Sequence, residues 1–353
     1  MDRLRFSFSS IGADTFLVSE LPNIRYLCGF TGSAGLLLVE TSRATLFTDS
    51  RYTFQAQEEV TNAHIEIVRR GLTGAVGSAL RKRAGRARVA YSPSHVTVAQ
   101  HAALRKAAGS RVRWVNGGHA VEKLRALKDP QELATMRQAA VLVSKVFEQA
   151  LPLIRPGISE LDLAAELEYA MKQKGASGPS FETIVASGPR SAWAHAQPSS
   201  NPLRKSELVV LDQGAILRGY CSDMTRTVFL GRAPARIRRL YRAVLAAQEA
   251  ARAAIRPGVS GESVDAAARR VLKGEGLAQY FTHSTGHGLG LEVHEMPRLG
   301  KGEKTILEEG MVITVEPGVY IEGLGGIRIE DDMVVTSKGG EALTTATRDF
   351  LEL

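Results

Sequence analysis

Short apolar runs alternate with amphipathic stretches through the first third of the chain. Thr15-Phe16-Leu17-Val18, Gly35-Leu36-Leu37-Leu38-Val39, Ala44-Thr45-Leu46-Phe47 and His64-Ile65-Glu66-Ile67-Val68 have the length and composition of strands, whereas the segments from Thr53 to Glu59 and from Gly74 to Ala84 read as helices. Alternation of this kind predicts an α/β domain. The pattern changes near residue 125. Lys128-Asp129-Pro130-Gln131-Glu132 offers an Asp cap, a proline at the first helical position and an acid in the first turn, and so opens a long helix running towards Pro156-Gly157. With 353 residues the chain can bury two cores, and the expected domains are 1–125 and 126–353.

The second of these segments contains a weak repeat. Ile154-Arg155-Pro156-Gly157-Ile158-Ser159 recurs about a hundred residues later as Ile255-Arg256-Pro257-Gly258-Val259-Ser260. Each copy follows one helix, opens another, and leads into strand-rich sequence, Glu207 to Leu230 in the first case and Gly310 to Thr336 in the second. The expected architecture is a pair of related αββ halves with a site between them.

Four carboxylates occupy comparable places in the two halves. Asp212 ends the run Leu208-Val209-Val210-Leu211, and Asp223 lies beyond Gly214 and Gly219. A hairpin turn centred on Leu217-Arg218 would set Asp212 opposite Asp223, with Cβ atoms ~5 Å apart. In the second half a turn centred on Gly323 sets Glu316 opposite Glu330. Buried like charges at such separations call for protons or a cation between them.

Between the hairpins, His283, His287 and His294 fall within the thirteen residues that end at Glu295. A lone histidine reads as a satisfied structural residue. Three beside four strand-borne acids read as a site, because convergent titratable groups mark one. Four carboxylates and a neutral imidazole carry about four negative charges, which two divalent ions balance. Mostly oxygen ligation favours Mn²⁺ first, with Co²⁺ or Zn²⁺ as alternatives. Two such ions ~3.5–4 Å apart can activate a shared water and polarise a carbonyl, which is hydrolytic chemistry.

Composition changes this picture little. Hydrophobic residues make up 44% and charged residues 23% of the chain, as in ordinary globular proteins. No signal-peptide core precedes Glu20, no apolar run reaches bilayer length, and Cys28 and Cys221 form no CxxC pattern, so a cytoplasmic protein with no membrane partner is expected. The net charge of +8 draws on basic clusters at Arg81-Lys82-Arg83 with Arg86 and Arg88, and at Arg232, Arg236, Arg238, Arg239 and Arg242. Both lie on expected amphipathic helices without interleaved aromatics, and read as solvated helix faces rather than as a nucleic-acid surface. GFTGSAG lacks the ending of a phosphate-binding loop, and GHGLGL does not lead from strand directly into helix. Trp193 reads as a packing residue at least as well as a substrate contact.

The pattern Asp212, Asp223, His287, Glu316 and Glu330, in the contexts LDQGA, SDMTRT, GHGLGLEVHE, VEPGVY and GIRIEDD, resembles the pita-bread metallopeptidases, particularly Xaa-Pro aminopeptidases and prolidases. NIRYLCGFTGSAGLLLVE and LFTDSRY look like the N-terminal domain of bacterial aminopeptidase P-type enzymes, so the resemblance spans essentially the whole chain. It implies a creatinase/prolidase-type α/β domain followed by an α+β pita-bread domain with pseudo-twofold αββ halves. It further implies that Asp223, His287 and Glu330 hold one metal and Asp212, Asp223, Glu316 and Glu330 the other. By the same resemblance His195, His283 and His294 line the substrate site, Glu316 shuttles protons, and Arg328 orients the ligand acids. The implied protein is a homodimer acting on peptides with proline in second position, either as an aminopeptidase, towards which GFTGSAG leans, or as a dipeptidase. A non-catalytic nucleic-acid or protein-binding relative, a metal-free creatinase-like hydrolase and a methionine aminopeptidase are the competing readings. Retention of all five ligand positions speaks against the first two, and the developed N-terminal domain against the third.

Overall fold

The apolar runs of the N-terminal third lie side by side in one six-stranded sheet, in the order His64–Val68, Ala44–Asp49, Leu36–Glu40, Thr15–Val18, Ala87–Tyr91, Val112–Asn116. Leu36–Glu40 is antiparallel to both neighbours, whereas Thr15–Val18, Ala87–Tyr91 and Val112–Asn116 run parallel. Helices cover both faces: Phe16, Val18 and Leu37 pack against Ile24 and Leu27, while Leu17, Leu38 and Phe47 pack against Val76, Leu80 and Leu104. Burial on both sides is why these strands read as continuous apolar runs rather than alternating ones. The last two strands carry Arg88 and Arg113 on exposed positions and gave a weaker signal.

This computed structural model describes residues 1–83 and 85–353 and separates into two units, Met1–Arg125 and Ala126–Leu353. The helix expected from Gly74 to Ala84 occupies Leu72–Arg81, and Ala84 lies outside the described residues. Among the described residues no helix is long and apolar enough to cross a membrane.

The second unit opens on Pro130–Ala150, where Asp129 accepts from the backbone N–H groups of Gln131 and Glu132 and the Glu132 side chain returns to the Asp129 N–H. The repeated Arg-Pro-Gly segments each end in a serine, Ser159 or Ser260, that caps the next helix, Glu160–Gln173 or Gly261–Gly274. Each half therefore owns a helix pair. Val143, Val146, Leu163 and Leu167 pack on Val209, Leu211 and Val228, while Val244, Ala251, Val264 and Ala268 pack on Ile313, Val315, Met333 and Val335. Because side chains alternate along a strand, Asp212, Thr225, Thr314 and Asp332 belong to the opposite face, away from the helices. On Ala235–Ala254 the buried stripe Ile237, Tyr241, Val244 leaves Arg236, Arg239 and Arg242 exposed, and Arg238 pairs with Glu352 at 2.8 Å.

The first hairpin departs from expectation. Its turn consists of Arg218 and Gly219, both left-handed at φ 48° and 89°, between the paired residues Leu217 and Tyr220. Two-residue turns of this kind match the twist of the flanking strands, and they make glycine the favoured second residue. The turn thus lies one residue beyond Leu217-Arg218, and every partner moves by two: Asp212 faces Thr225, and Asp223 immediately precedes the strand Met224–Phe229. A two-residue shift preserves the face, so Asp223 stays on the side of Asp212. In the second half, Gly318–Ile321 pairs with Gly325–Arg328 and Val312–Val315 with Asp331–Thr336 in one continuous register about Gly323. Glu316 and Glu330 flank the break between these two ladders.

The two halves are joined by a buried arginine. Arg226 Nη1 donates to the carbonyls of Glu330 (2.6 Å) and Thr225 (2.9 Å), Nη2 to Asp331 Oδ1 (2.7 Å) and the Ala346 carbonyl (2.9 Å), and Nε to the Thr347 carbonyl (2.7 Å). Replacing Arg226 by Met leaves Asp331 and four carbonyls short of a donor inside the fold. Arg226→Met is expected to cost about 3–5 kcal/mol in denaturant-induced unfolding; a loss below about 1 kcal/mol would show that this junction does not hold the halves together.

Candidate metal centre

The unpaired faces of the two halves enclose a cavity of about 580 Å³. All nine residues singled out in the sequence line it: His195, Asp212, Asp223, His283, His287, His294, Glu316, Arg328 and Glu330. Asp212, Asp223, Arg328 and Glu330 are buried at its floor, whereas His195 and His294 are exposed at its rim. Trp193 is not among the lining residues; it is 60% exposed and stacks beneath Arg190 at 4.9 Å.

His287 is carried on the short strand Gly286–Gly288, which runs between Glu295–Leu299 and Val312–Val315. Its two glycines are required by contact: a Cβ at 286 would lie 2.0 Å from the Thr314 carbonyl oxygen, and one at 288 would lie 2.1 Å from that of Met296. With Nδ1–H donating to the Gly288 carbonyl (3.0 Å), His287 turns the lone pair of Nε2 towards Glu316 Oε1 at 3.4 Å and Asp223 Oδ2 at 3.7 Å. Ligand atoms of Asp223, His287 and Glu330 all lie within 4.8 Å of one another. Asp212 Oδ1 and Asp223 Oδ1 are buried with no hydrogen-bond partner. Two buried carboxylate oxygens left without a donor beside this ligand group fit a cation, and oxygen donors with one imidazole fit a divalent ion.

The electrostatics agree. Burial, then the charges of Glu330 and Asp212, drives the Asp223 carboxyl well above the usual carboxylate range, and burial with Glu316 and Asp212 does the same to Glu330. Glu316 is pushed up to about 7 by burial, with Arg328 pulling the other way. Burial and the neighbouring His294 bring His287 down to about 4, so it is neutral, as a ligand must be.

Arg328 is a buried cation of the floor. Nη2 donates to Asp212 Oδ2 (2.6 Å), Nε to Thr225 Oγ1 (3.1 Å) and Nη1 to Tyr320 Oη (2.6 Å). Burial works against its charge, but Tyr320, Asp212, Glu316 and Glu330 outweigh it. Tyr320 in turn donates to His283 Nε2 (2.9 Å), whose Nδ1–H donates to the Ser284 carbonyl (2.8 Å). Both nitrogens of His283 are therefore engaged, whereas the rings of His195 and His294 accept or donate no hydrogen bond among the described residues.

Three residues of the site were not identified from the sequence. Thr225 donates to Glu330 Oε2 (2.6 Å), Tyr320 links Arg328 to His283, and Asp332 Oδ2 accepts the Asp223 N–H (3.1 Å). Thr225 and Tyr320 were legible in principle: one faces Asp212 once the turn is placed at Arg218-Gly219, and the other lies four residues after Glu316 on the same strand face. Asp332 had no comparable signal.

The sequence matches the family model for metallopeptidase family M24 over residues 134–337 and that for the creatinase/prolidase N-terminal domain over residues 1–127. It is 40% identical to the uncharacterized peptidase YqhT of Bacillus subtilis, covering 100% of this chain and 99% of that one. The structure is similar to that of an Xaa-Pro dipeptidase from Bacillus anthracis, with a TM-score of 0.95 and 37% identity over 100% of this chain and 98% of that chain. It is also similar to an X-Pro aminopeptidase from Thermotoga maritima, with a TM-score of 0.89 and 35% identity over 99% and 100% of the two chains. The architecture is that of these neighbours, an N-terminal creatinase/prolidase-type domain followed by a pita-bread domain.

The crowding of acids has a consequence for metal-free protein. Glu316 holds its proton to about pH 7 in the fold but only to the ordinary carboxylate value when unfolded, so the native state binds the extra proton and loses stability as the pH rises towards 7. This titration is expected to lower stability by about 1 kcal/mol per pH unit from roughly pH 5 up to 7 and to level off above that. Histidines of the unfolded chain contribute the opposite slope, equally in wild type and Glu316→Gln, so the difference between the two unfolding profiles in chelator isolates it. Parallel profiles would show that Glu316 does not share in the mutual repulsion.

Proposed function

The chain belongs to metallopeptidase family M24, and from that premise we propose that it cleaves the peptide bond between an N-terminal residue and a following proline with the help of two divalent metal ions. The observation that carries this reading is the convergence of Asp212, Asp223, His287, Glu316 and Glu330 on one cavity, with Asp212 Oδ1 and Asp223 Oδ1 buried and without a hydrogen-bond partner among the described residues. Asp223, His287 and Glu330 are assigned to one ion, and Asp212, Asp223, Glu316 and Glu330 to the other, with Asp223 and Glu330 shared. Mn²⁺, or alternatively Co²⁺ or Zn²⁺, bound there would supply Lewis acidity towards the attacking water and the scissile carbonyl.

The remaining roles fall to the protein. Glu316, whose carboxyl titrates near neutrality when no metal is present, takes the proton from the nucleophile and returns it to the leaving amine. His195 and His294, at the rim with uncommitted ring nitrogens, donate to the oxygen of the scissile carbonyl as charge develops on it. Arg328 holds Asp212 in place and, through Tyr320, fixes the ring of His283 as a wall of the pocket. Proline brings a ring and no amide donor, so its recognition asks for an apolar surface rather than a hydrogen-bond acceptor. Phe181, Ile184 and Val293 line the same cavity and are assigned that task.

Similarity to the Bacillus anthracis Xaa-Pro dipeptidase favours dipeptides as substrates. The second reading, an aminopeptidase accepting longer chains, is favoured by the similarity to the Thermotoga maritima enzyme. Steady-state hydrolysis of Ala-Pro, Ala-Pro-Ala and Ala-Ala-Ala separates them: both proline peptides are expected to exceed Ala-Ala-Ala, and the ratio of the first two decides the length class. A preference for Ala-Ala-Ala would remove the Xaa-Pro assignment altogether. Asp223→Ala and Glu330→Ala are each expected to lower bound metal and reduce turnover by at least ~10–100-fold. His294→Ala is expected to reduce turnover with both metals retained, and metal loss in that variant would overturn its assignment.

A further inference from the structure

The first unit carries a second convergence of ligand-type side chains, and it shares no residue with the candidate metal centre. Thr15–Val18, Ala87–Tyr91 and Val112–Asn116 are three adjacent parallel strands. The chain leaving their C-terminal ends presents Glu20 after the first, His95 after the second, and His119 with Glu122 after the third, Glu122 being in the first turn of the helix Ala120–Ala126. The carboxyl edge of parallel strands is where open α/β sheets place their ligands.

Ligand atoms of His95, His119 and Glu122 all lie within 4.8 Å of one another. His95 Nδ1 is 3.1 Å from Glu20 Oε2, and His95 Nε2 is 2.7 Å from Glu122 Oε1. A neutral imidazole has one N–H. When Nδ1–H donates to Glu20, the lone pair of Nε2 faces a carboxylate oxygen, and a positive charge beside the two satisfies both. A carboxylate that orients a histidine whose other nitrogen binds a metal is a recurrent arrangement. Glu122 is itself held, since Oε1 accepts from Asn23 Nδ2 (2.6 Å) and Asn23 Oδ1 accepts from Arg125 Nη1 (2.7 Å). His119 is exposed, and its ring makes no hydrogen bond among the described residues.

We infer that His95, His119 and Glu122 form a separate Zn²⁺ site, with Glu20 orienting His95, that clips together the ends of these strands. Two imidazoles and one carboxylate suit the borderline character of zinc and leave a coordination position for water. A protonated His95 clamped between Glu20 and Glu122 would account for the two short contacts without any metal. It gives no role to His119, and this distinguishes the two cases.

The test uses the full chain as wild type, His119→Ala and His95→Gln, each equilibrated with Zn²⁺, desalted and assayed for metal content and peptidase turnover. Wild type is expected to retain one Zn²⁺ per chain more than either variant, however much metal the peptidase centre takes up. Peptidase turnover of His119→Ala is expected to stay within about two-fold of wild type, because surface changes outside an active site are ordinarily of small effect. Equal zinc content in wild type and His119→Ala would overturn the inference and leave His95 as an ion-paired imidazolium. Since the readout is a difference between variants, it stands or falls independently of whether the peptidase reading is correct.

Discussion

Four carboxylates and the lone pair of one imidazole converge on the floor of the cavity, with one buried cation, Arg328, beside them among the described residues. In such surroundings burial first, and then the charge of neighbouring acids, raises the cost of ionising Asp223, Glu330 and Glu316. A fold that keeps this arrangement must over-determine the position of every member. That requirement accounts for much of the surrounding structure. Thr225 ties down Glu330, Arg328 ties down Asp212, and the Gly288 carbonyl sets the tautomer of His287. Without a cation the floor is a store of repulsion, and with one it is a set of preoriented ligands.

The duplicated scaffold supplies the rigidity. Each half presents one sheet face to its own helix pair and the other to the cavity, so the period of two along the strands separates Val209, Leu211, Ile313 and Val315 from Asp212 and Glu316. The halves meet through hydrogen bonds rather than apolar packing alone. The Thr227 hydroxyl donates to the Arg328 carbonyl and accepts the Arg328 N–H, and Arg226 reaches from one half to the backbone and Asp331 of the other. Asp331 also receives Gln248 (2.8 Å) and Arg252 (3.1 Å), so the residue that follows Glu330 is locked by charge-assisted bonds. A ligand geometry anchored from behind in this way resists the mutual repulsion in front.

The cavity also divides its labour by depth. Buried acids and Arg328 form the floor, the Arg328–Tyr320–His283 chain forms one wall, and His195 and His294 stand at the rim with ring nitrogens free to meet a substrate. Burial holds His283 near 4, with Arg328 adding to the effect, so this imidazole stays uncharged at neutral pH. An uncharged imidazole in the same cavity as Phe181, Ile184 and Val293 suits a substrate group without polar hydrogens.

Much of this is legible in the sequence. Periodicity identified the strands flanking Asp212 and Glu316, the Arg-Pro-Gly-(Ile/Val)-Ser repeat announced the two halves, and carboxylates at equivalent places in both halves pointed to a cation. All of these are local or repeated features, which a linear reading can detect. The sequence could not decide the register of the first hairpin, because a turn at Leu217-Arg218 and one at Arg218-Gly219 keep the same faces and differ only in which residue opposes Asp212. Nor could it reveal that Tyr320 occupies the second nitrogen of His283, or that Asp332 caps the Asp223 N–H, 109 residues away in the chain. The same holds for Glu20, His95, His119 and Glu122, which nothing in their spacing connects. They meet because three parallel strands end side by side, and strand order is set by the packing of the whole sheet rather than by any segment of it.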